Sequence, residues 1–336
     1  MLATPQSGSS SETPSGVNDA VRREVTVIIA AWRAAGTIGK AVASALAQPE
    51  TAEVVVVDDD SGDSDATLNA ARAADDGTGR LTVFALDKNS GPARARNAAI
   101  NASKAPWIAV LDSDDFMEPG RFAKLTELRQ QNLDLIADDL LQTPDGQPLS
   151  EGRPLWFEDD KTPVDVPLEL FFASCISSPK RKRREMGFLK PLMRRAFLEK
   201  HGLGYDESMR LGEDFDLYSR ALMAGAKMRL VPWAGYVSIM RRGSLSLRQK
   251  RGDLVALLAS KDRLLASGKL SPAEARLLKK VKATSKGRLV WVDFMAALKT
   301  GNVFRAAWVV LKDPSQAPYV LRSLRNMFVN KIRGVK

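Results

Sequence analysis

Between residues 25 and 111 the chain alternates short apolar runs with segments of helical spacing, and this alternation limits its fold more than any other feature. The apolar runs are VTVIIAA, EVVVV, LTVFAL and WIAVL. Runs of this kind, rich in β-branched residues, are typical of strands buried on both faces. Helical patterns lie between them, at residues 37–46, 65–74 and 91–103, with Thr37 as the predicted N-cap of the first. Strands alternating with helices predict βαβ units and an α/β fold around a mostly parallel sheet.

Acidic clusters follow two of the predicted strands. Asp58, Asp59 and Asp60 come after the second, and Asp112-Ser113-Asp114 comes after the fourth. Sheets of this type bind ligands outside the carboxyl ends of their strands. Two carboxylates two residues apart suit Mg²⁺ or Mn²⁺, whose remaining positions are often taken by substrate phosphates. Asp-rich turns are common, so Asp112-Ser113-Asp114 alone is weak evidence for a metal site. The buried strand before it and the acidic cluster at residues 58–60 strengthen that interpretation.

Residue usage excludes several kinds of site. One Cys and one His among 336 residues exclude an internal disulfide framework and any Cys- or His-rich metal cluster. None of the predicted helices opens with the Gly-rich signature of a dinucleotide-binding fold or a P-loop. Any catalytic or binding site must therefore rely mainly on carboxylate, amide and cationic side chains.

Charge is divided unevenly along the chain. From residue 245 onward there are 20 Lys and Arg against 5 Asp and Glu, whereas residues 1–244 hold 30 against 35. A basic, helical tail with aromatic residues predicts contact with an anionic membrane surface, although a nucleic-acid partner or a solvated helical bundle fits the same charge. The longest uncharged stretches, such as residues 230–240, fall short of the about 20 residues that cross a bilayer. Residues 1–22 are predicted to be a disordered leader without a secretory signal.

A second acidic pair, Glu213-Asp214, opens a predicted helix at residues 212–224. The pair fits either a charge complement to the helix dipole or a carboxylate general base. Residues 142–169 predict a long loop or short antiparallel strands. The cationic run at 180–184 fits a solvated surface, a membrane contact, a localisation-like patch or a loop near a diphosphate.

In this order and spacing the motifs resemble the family 2 glycosyltransferases, over about residues 24–245. The similarity rests on VTVIIAAWRAAGTIGKAV, VVVVDDDSGDSDAT, NSGPARARNAAI, WIAVLDSDD, GFLKPLMRR and LGEDFDLYSRAL. Within the family the chain is similar to bacterial exopolysaccharide enzymes, including succinoglycan glucosyltransferases. The resemblance implies the GT-A nucleotide-sugar-binding fold at residues 23–245, and the charge pattern predicts a basic, helical, membrane-associating region at 246–336.

The resemblance also implies roles for individual residues. Asp59 corresponds to the base-recognising aspartate, and Ala30, Ala31 and Trp32 to nucleoside contacts. The sequence Ala-Ala-Trp-Arg at that point departs from the Pro-x-Tyr-Asn type usual in the family. Arg94 and Arg96 correspond to further nucleotide-binding positions, and Asp112 and Asp114 to the metal motif. Glu213 and Asp214 correspond to catalytic positions. Arg241 and Arg242 correspond to positions that stabilise the phosphates. Of these, Asp112 and Asp114 are the predicted metal ligands, and Asp214 is the predicted general base.

The function implied is a metal-dependent, inverting transfer of one sugar to a lipid-linked saccharide in exopolysaccharide synthesis, in the cytoplasm at the inner face of the plasma membrane. The resemblance favours UDP-glucose as the donor, with galactose and N-acetylhexosamine as the alternative sugars. The Gln-x-x-Arg-Trp motif of processive synthases is not found, which favours transfer of a single sugar. The alternatives are an inactive scaffold and a nucleic-acid-binding protein, for which no recognised motif appears. A nucleotidyltransferase also uses paired acids on such a sheet, but it would be expected to carry a Gly-rich activating loop near the first strand, where Ala34-Ala35-Gly36 is a poor substitute.

Overall fold

The computed structural model describes residues 22–158, 161–176, 184–241 and 250–332. The predicted leader (apart from residue 22), Arg242 and most of the cationic run at 180–184 lie outside these ranges. The strands are β1 (Val25–Ala31), β2 (Thr51–Asp58), β3 (Leu81–Ala85), β4 (Trp107–Val110), β5 (Phe116–Met117), β6 (Leu135–Pro144), β7 (Arg153–Pro154), β8 (Val164–Asp165), β9 (Leu192–Arg194) and β10 (Met228–Met240).

The helices alternate with the first strands and then dominate the end of the chain. They are α1 (Ile38–Leu46), α2 (Ala66–Arg72), α3 (Pro92–Asn101), α4 (Arg121–Thr126), α5 (Leu168–Ser174), α6 (Arg195–Lys200), α7 (Glu213–Met223), α8 (Arg251–Ala266), α9 (Pro272–Lys299), α10 (Val303–Leu311) and α11 (Ala317–Ile332). Short 3₁₀ turns lie at Glu127–Gln131, Leu149–Glu151, Met186–Phe188 and Pro314–Gln316.

The described strands form one sheet in the order β3-β2-β1-β4-β9-β6-β10-β5, with β7 paired to β6 and β8 to β10. The strands β1 to β4 are parallel to one another. The short strand β9 is antiparallel to both β4 and β6, and β10 is parallel to β6. Six strands therefore run in one direction and the four short ones in the other, which confirms the mostly parallel sheet predicted from the sequence.

The core lies on both faces of this sheet. Successive residues of β1 from Val25 to Ile29 are fully buried, although their side chains alternate between the two faces. The sheet must therefore be covered on both sides, as the unbroken apolar run predicts. At about 25 cal/mol per Å² of buried apolar surface, such central strands supply much of the free energy of folding.

The four sequence-predicted strands are confirmed to within two residues at each end, and so is the N-cap position predicted for Thr37. Thr37 occupies the N-cap position of α1 without accepting a capping hydrogen bond. Its hydroxyl instead donates to the carbonyl of Ser113 across 2.8 Å. Thr37 thus ties the start of α1 to the Asp112-Ser113-Asp114 loop. At residues 153–154 and 164–165 the structure has the short antiparallel strands that were one of the two expectations there.

The basic C-terminal region is helical, as predicted, and its first two helices pack against the rest of the chain. α8 packs on α7, and α9 packs on α5. Ser260 of α8 donates a hydrogen bond to the buried carboxylate of Asp216 in α7. Lys261 lies over the ring of Phe215, 4.9 Å from its centroid. Across the described ranges no helix combines the length and apolar character needed to cross a membrane.

Candidate active site

The loop after β2 is held against the loop that precedes α3 by Asp59. Its carboxylate accepts hydrogen bonds from the backbone N–H groups of Ser90 and Gly91, both across 2.7 Å. Gly91 has φ +99°, a conformation that L side chains rarely adopt, and a Cβ there would meet Arg210 at 2.8 Å. Asp59 therefore positions the start of α3, an arrangement that its place in the sequence did not indicate.

The loop after β1 lies beside the same edge of the sheet. Its backbone joins the loop after β2 where the N–H of Arg33 donates to the hydroxyl of Ser61 across 2.7 Å. The guanidinium of Arg33 lies 5.0 Å from the ring centroid of Trp32, and Trp32 is 45% exposed. Ala30 is half-buried at the end of β1. The structure thus presents an aromatic ring at the position predicted for a nucleoside contact.

The acidic loop after β4 is braced by Tyr236 of β10. The Tyr236 hydroxyl accepts from the backbone N–H of Asp112 at 3.0 Å and donates to Asp115 at 2.9 Å. Burial, then the nearby charges of Asp112 and Asp114, raise the pKa of Asp115 to about 8. Burial and Asp112 also raise the pKa of Asp114. Burial and the crowding of carboxylates at this loop therefore disfavour the ionised forms of Asp114 and Asp115.

Two buried cations, Arg96 and Lys190, bridge the acidic loop to the start of α7. Arg96 lies 2.7 Å from Asp112, 2.6 Å from Glu213 and 3.4 Å from Asp214. Lys190 lies 3.0 Å from Asp112 and 2.7 Å from Asp214. Five charged groups from four separate segments thus meet in one cluster, with three carboxylates facing two cations. We call these five residues the bridging cluster.

Within the bridging cluster, pairing favours the ionised forms of Asp112 and Lys190. Burial alone would raise the pKa of Asp112, but Lys190 and Arg96 lower it to about 2. Burial alone would likewise lower the pKa of Lys190, whereas Asp112 and Asp214 raise it above its ordinary value. Mutual pairing therefore offsets the cost of placing these charges away from water.

Asp214 has an additional donor and a well-defined place in the fold. The hydroxyl of Tyr205 donates to its carboxylate across 3.0 Å. Gly212, with φ +74°, precedes the pair at the start of α7, and a Cβ at this position would lie 2.6 Å from Leu257 of α8. The turn at Gly212, which packs against α8, therefore sets the position of Glu213 and Asp214 within the bridging cluster.

The backbone of Lys190 is anchored by a buried ion pair. Arg121 and Asp138 are 0% and 1% exposed, with a shortest separation of 2.8 Å. The Arg121 guanidinium also donates to the carbonyl of Lys190 across 2.5 Å. The pair thus fixes the segment from which Lys190 reaches both carboxylates.

The residues at the β4 edge fit a hard divalent cation that also takes ligands from its substrate. Asp114 is partly exposed and meets Arg241 only loosely, at 3.8 Å. Asp112 already pairs with Arg96 and Lys190. Within the described ranges no three His, Cys, Asp or Glu side chains converge as a complete cation site. Mg²⁺ commonly binds through one or two carboxylates, water and phosphate oxygens. The carboxylates of Asp112 and Asp114 fit this type of coordination.

The structure brings most of the predicted site residues to one edge of the sheet, but their partners differ. Arg96 belongs to the bridging cluster, whereas Arg94 lies half-buried on the same helix. Arg241 lies between Asp114 and Asp145, 3.8 Å and 3.4 Å from their carboxylates. Arg242 is outside the described residues.

Lys190, Tyr205 and Tyr236 were not assigned a role from the sequence. A single Lys in GFLKPLMRR reads as a surface residue, and nothing local shows that its partners lie 78 and 24 residues away. For Lys190 the available signal was its place inside a motif quoted for the family resemblance. Tyr236 likewise lies in GYVSIMRRGSLS, which adds to the resemblance, whereas Tyr205 lies in no such segment.

Comparison with known proteins decides the family. The family model described as "Glycosyl transferase family 2" matches residues 26–186. The succinoglycan biosynthesis protein ExoU of Rhizobium meliloti strain 1021 is 43% identical over 299 residues, which cover 89% of this chain and 86% of ExoU. The chain belongs to glycosyltransferase family 2.

Solved structures agree with this family 2 assignment at the level of the fold. The crystal structure of Staphylococcus aureus TarS 1–349 in complex with UDP-GlcNAc superposes with a TM-score of 0.60 at 16% identity, covering 85% of this chain and 90% of that one. The mannosyltransferase PcManGT of Pyrobaculum calidifontis, in complex with GDP-Man and Mn²⁺, gives a TM-score of 0.55 at 18% identity, covering 91% and 84%. The family 2 chain therefore has the GT-A fold.

Proposed function

We propose that this family 2 glycosyltransferase transfers one sugar, with inversion, from UDP-glucose to a hydroxyl group of a lipid-linked saccharide in succinoglycan-type exopolysaccharide synthesis. The observation that carries the proposal is the bridging cluster. Asp112, from the predicted metal motif, and Asp214, the predicted base, contact the same Lys190 and Arg96. A donor diphosphate at Asp112 and an acceptor hydroxyl at Asp214 would then be neighbours.

The donor end of the proposed site is formed by the loops after β1 and β2 and by α3. Trp32 offers an exposed ring for a nucleoside, and the half-buried Ala30 lies two residues before it on β1. Asp59 accepts two backbone hydrogen bonds, and a carboxylate has further acceptor capacity for a base N–H. Arg94 adds a half-buried cation on α3. TarS is named with UDP-GlcNAc and PcManGT with GDP-Man, which supports a nucleotide-sugar donor, and the similarity to ExoU supports the choice of polysaccharide.

Asp114, together with Asp112, would hold Mg²⁺ or Mn²⁺. When bound, the ion supplies Lewis-acid neutralisation of the charge that develops on the departing diphosphate. Arg241 approaches Asp114 and is placed to add a charge-assisted contact to phosphate. PcManGT, named with Mn²⁺, supports this assignment.

Asp214 takes the proton of the acceptor hydroxyl in the proposed step. The acceptor oxygen forms a bond to the anomeric carbon while the bond from that carbon to the diphosphate oxygen breaks, and the nucleoside diphosphate leaves. Since a carboxylate is a weak base for an alcohol, the proton moves within the transition state. Lys190 and Tyr205 hold the Asp214 carboxylate in place. Glu213, 2.6 Å from Arg96, orients that cation.

The proposal includes the location and division of the chain. We place the catalytic domain at residues 23–245 and the basic helical region at 246–336, with the enzyme peripheral to the inner face of the plasma membrane. A lipid-linked acceptor explains why a basic, aromatic region would accompany the catalytic domain.

An assay with labelled UDP-sugars and lipid-linked acceptors tests the proposal. We expect UDP-glucose to be transferred and Asp214→Asn to lose about 10³-fold in kcat, while binding of UDP stays close to wild type. Glu199→Gln, a change at an exposed carboxylate on α6, serves as the matched control. Undiminished transfer by Asp214→Asn would remove Asp214 as the base.

A further inference from the structure

The face of α10 that points away from the protein is apolar. Phe304, Trp308 and Leu311 are 87%, 58% and 71% exposed, and their spacing of four and three residues puts them on one side of the helix. Ala306, on the opposite side, is buried. Large exposed apolar groups on consecutive turns mark a contact surface rather than scattered surface hydrophobes.

The next helix, α11, continues this pattern. Leu321 and Phe328 are 66% and 58% exposed, seven residues apart and therefore on one side of α11. Val320 is buried and anchors the helix to the protein. We call the exposed side chains Phe304, Trp308, Leu311, Leu321 and Phe328 the apolar ridge.

The charge around the apolar ridge is basic. Arg305, Lys312, Arg322 and Arg325 are exposed on or beside the two helices. The Lys312 ammonium lies 5.2 Å from the ring centroid of Trp308. Asp313 is the one acidic residue between positions 303 and 329, and it pairs with Lys286 of α9.

We propose that the apolar ridge is a membrane-docking surface, which inserts at the headgroup level of an anionic bilayer while the surrounding Arg and Lys contact lipid phosphates. The inference specifies the membrane contact of the proposed function and rests on it. Helices with aromatic and aliphatic side chains on one face and cations beside them bind in this manner, and each cation adds to the attraction of an anionic surface.

Charge complementarity favours lipid over a second copy of the chain as the occupant. Two copies meeting at the ridge would bring Arg305, Lys312, Arg322 and Arg325 of each close to the same residues of the other. Like charges juxtaposed in an interface oppose association. An anionic bilayer supplies apolar tails and negative phosphates together, so both parts of the surface are satisfied.

The ridge is connected to the catalytic end of the protein through packed helices. α10 and α11 both pack on α9, α9 packs on α8, and α8 packs on α7. α7 carries Asp214 in its first turn. Docking through the ridge would therefore hold the base at a defined position relative to the bilayer that contains the acceptor.

Co-sedimentation of the full chain with vesicles tests this inference. The probes are vesicles of phosphatidylcholine alone and of phosphatidylcholine mixed with phosphatidylglycerol. The variants are Phe304→Ser with Trp308→Ser, and Arg322→Gln with Arg325→Gln. Val255→Ser, at an exposed apolar residue of α8, and Arg72→Gln, at an exposed cation of α2, are the matched controls.

We expect the wild type and both controls to bind the mixed vesicles and to bind phosphatidylcholine weakly. Loss of the two aromatic side chains should weaken binding at least about tenfold, and loss of the two arginines should weaken binding only to the mixed vesicles. Equal vesicle binding by the aromatic variant and the wild type would overturn the inference, as would a wild-type dimer that the aromatic variant converts to a monomer. UDP titration of the same proteins separates the two proposals, because loss of the ridge leaves UDP binding unchanged.

Discussion

Lys190 donates a hydrogen bond to Asp214 across 2.7 Å, and the same ammonium group lies 3.0 Å from Asp112. A buried lysine shared by two carboxylates is stabilised by both of them, because a buried charge without a partner is costly. It also fixes the distance between the acid of the predicted metal motif and the predicted base. Lys190 is therefore a positioning residue in the proposed reaction, not a group that touches the reacting atoms.

Lys190→Met should impair turnover more than nucleotide binding. The Asp214 carboxylate would lose one of its donors and shift, and displacement of a catalytic group by about 1 Å can cost about 100-fold in rate. We expect kcat to fall by about that factor, with a smaller change in the Kd for UDP, measured by steady-state kinetics and calorimetry. Lys227→Met, at an exposed lysine, controls for loss of charge. Normal kcat in a folded Lys190→Met protein would contradict the positioning role.

Asp114→Ala should abolish the effect of divalent cations on UDP binding. In the proposed site Asp114 is the carboxylate left open to an ion, because Asp112 is engaged with Arg96 and Lys190. Calorimetry of UDP with Mn²⁺, with Mg²⁺ and with a chelator measures this directly. The wild type should bind UDP at least about tenfold more tightly with the ion, a difference of about 1.4 kcal/mol.

Asp87→Asn changes an exposed carboxylate after β3 and provides the comparison for Asp114→Ala. A wild-type protein whose UDP affinity is the same with Mn²⁺ and with chelator would refute metal-assisted donor binding. An ion effect of wild-type size in Asp114→Ala would instead place the ion on other residues.

The first half of the sheet could be predicted because its signals are local. β1, β2 and β4 each contain a run of buried, mostly apolar residues, and burial on both faces produces that pattern. The strand β10 was not predicted from the sequence, because its local pattern is not that of a buried strand. It contains Pro232 and Gly235, residues that argue against a central strand, and its pairing with β6 shifts register between Val231 and Tyr236.

The partners of the buried charges were beyond local sequence patterns. β6 carries Asp138 and Asp139 side by side and buried in mid-strand, which resembles a loop when read alone. Asp138 pairs with Arg121, and Asp139 accepts backbone hydrogen bonds from Trp156 and Phe157. The partners that stabilise these buried carboxylates come from segments that are adjacent only in the folded chain, so no local pattern reveals them. The motifs that contain Asp112 and Asp214 could instead be found by their resemblance to a known family.

Arg121→Met should be strongly destabilising. Asp138 would keep a buried charge without its guanidinium partner, a change that typically costs about 3–5 kcal/mol. Urea unfolding should therefore give a correspondingly lower free energy of unfolding. Arg121→Met combined with Asp138→Leu should recover part of this loss, because no buried charge remains. Arg129→Met, which removes a partly exposed cation 3.5 Å from Glu24, should change the free energy by about 1 kcal/mol or less.

Glu53 should make stability depend on pH in the acid range. Its carboxylate on β2 accepts hydrogen bonds from the Thr26 hydroxyl at 2.7 Å and from the backbone N–H groups of Lys104 and Ala105 at 2.6 and 2.9 Å. Partial burial opposes these bonds, but together with Arg195 they lower the pKa of Glu53 below its ordinary value of 4.5. The carboxylate thus joins β1, β2 and the turn before β4.

The sign of the effect follows from that lowered pKa. The stabilisation by ionised Glu53 is fully present above the pKa of the unfolded chain and is lost as the pH falls through the lower pKa of the folded chain. Glu53→Gln should therefore be less stable than wild type at pH 7, and the difference in free energy of unfolding should shrink below about pH 4. Urea titrations across this range measure it, with Glu127→Gln, at an exposed carboxylate, as the pH-matched control. A difference that stays constant down to about pH 2 would mean that the amide loses packing or geometry and not charge.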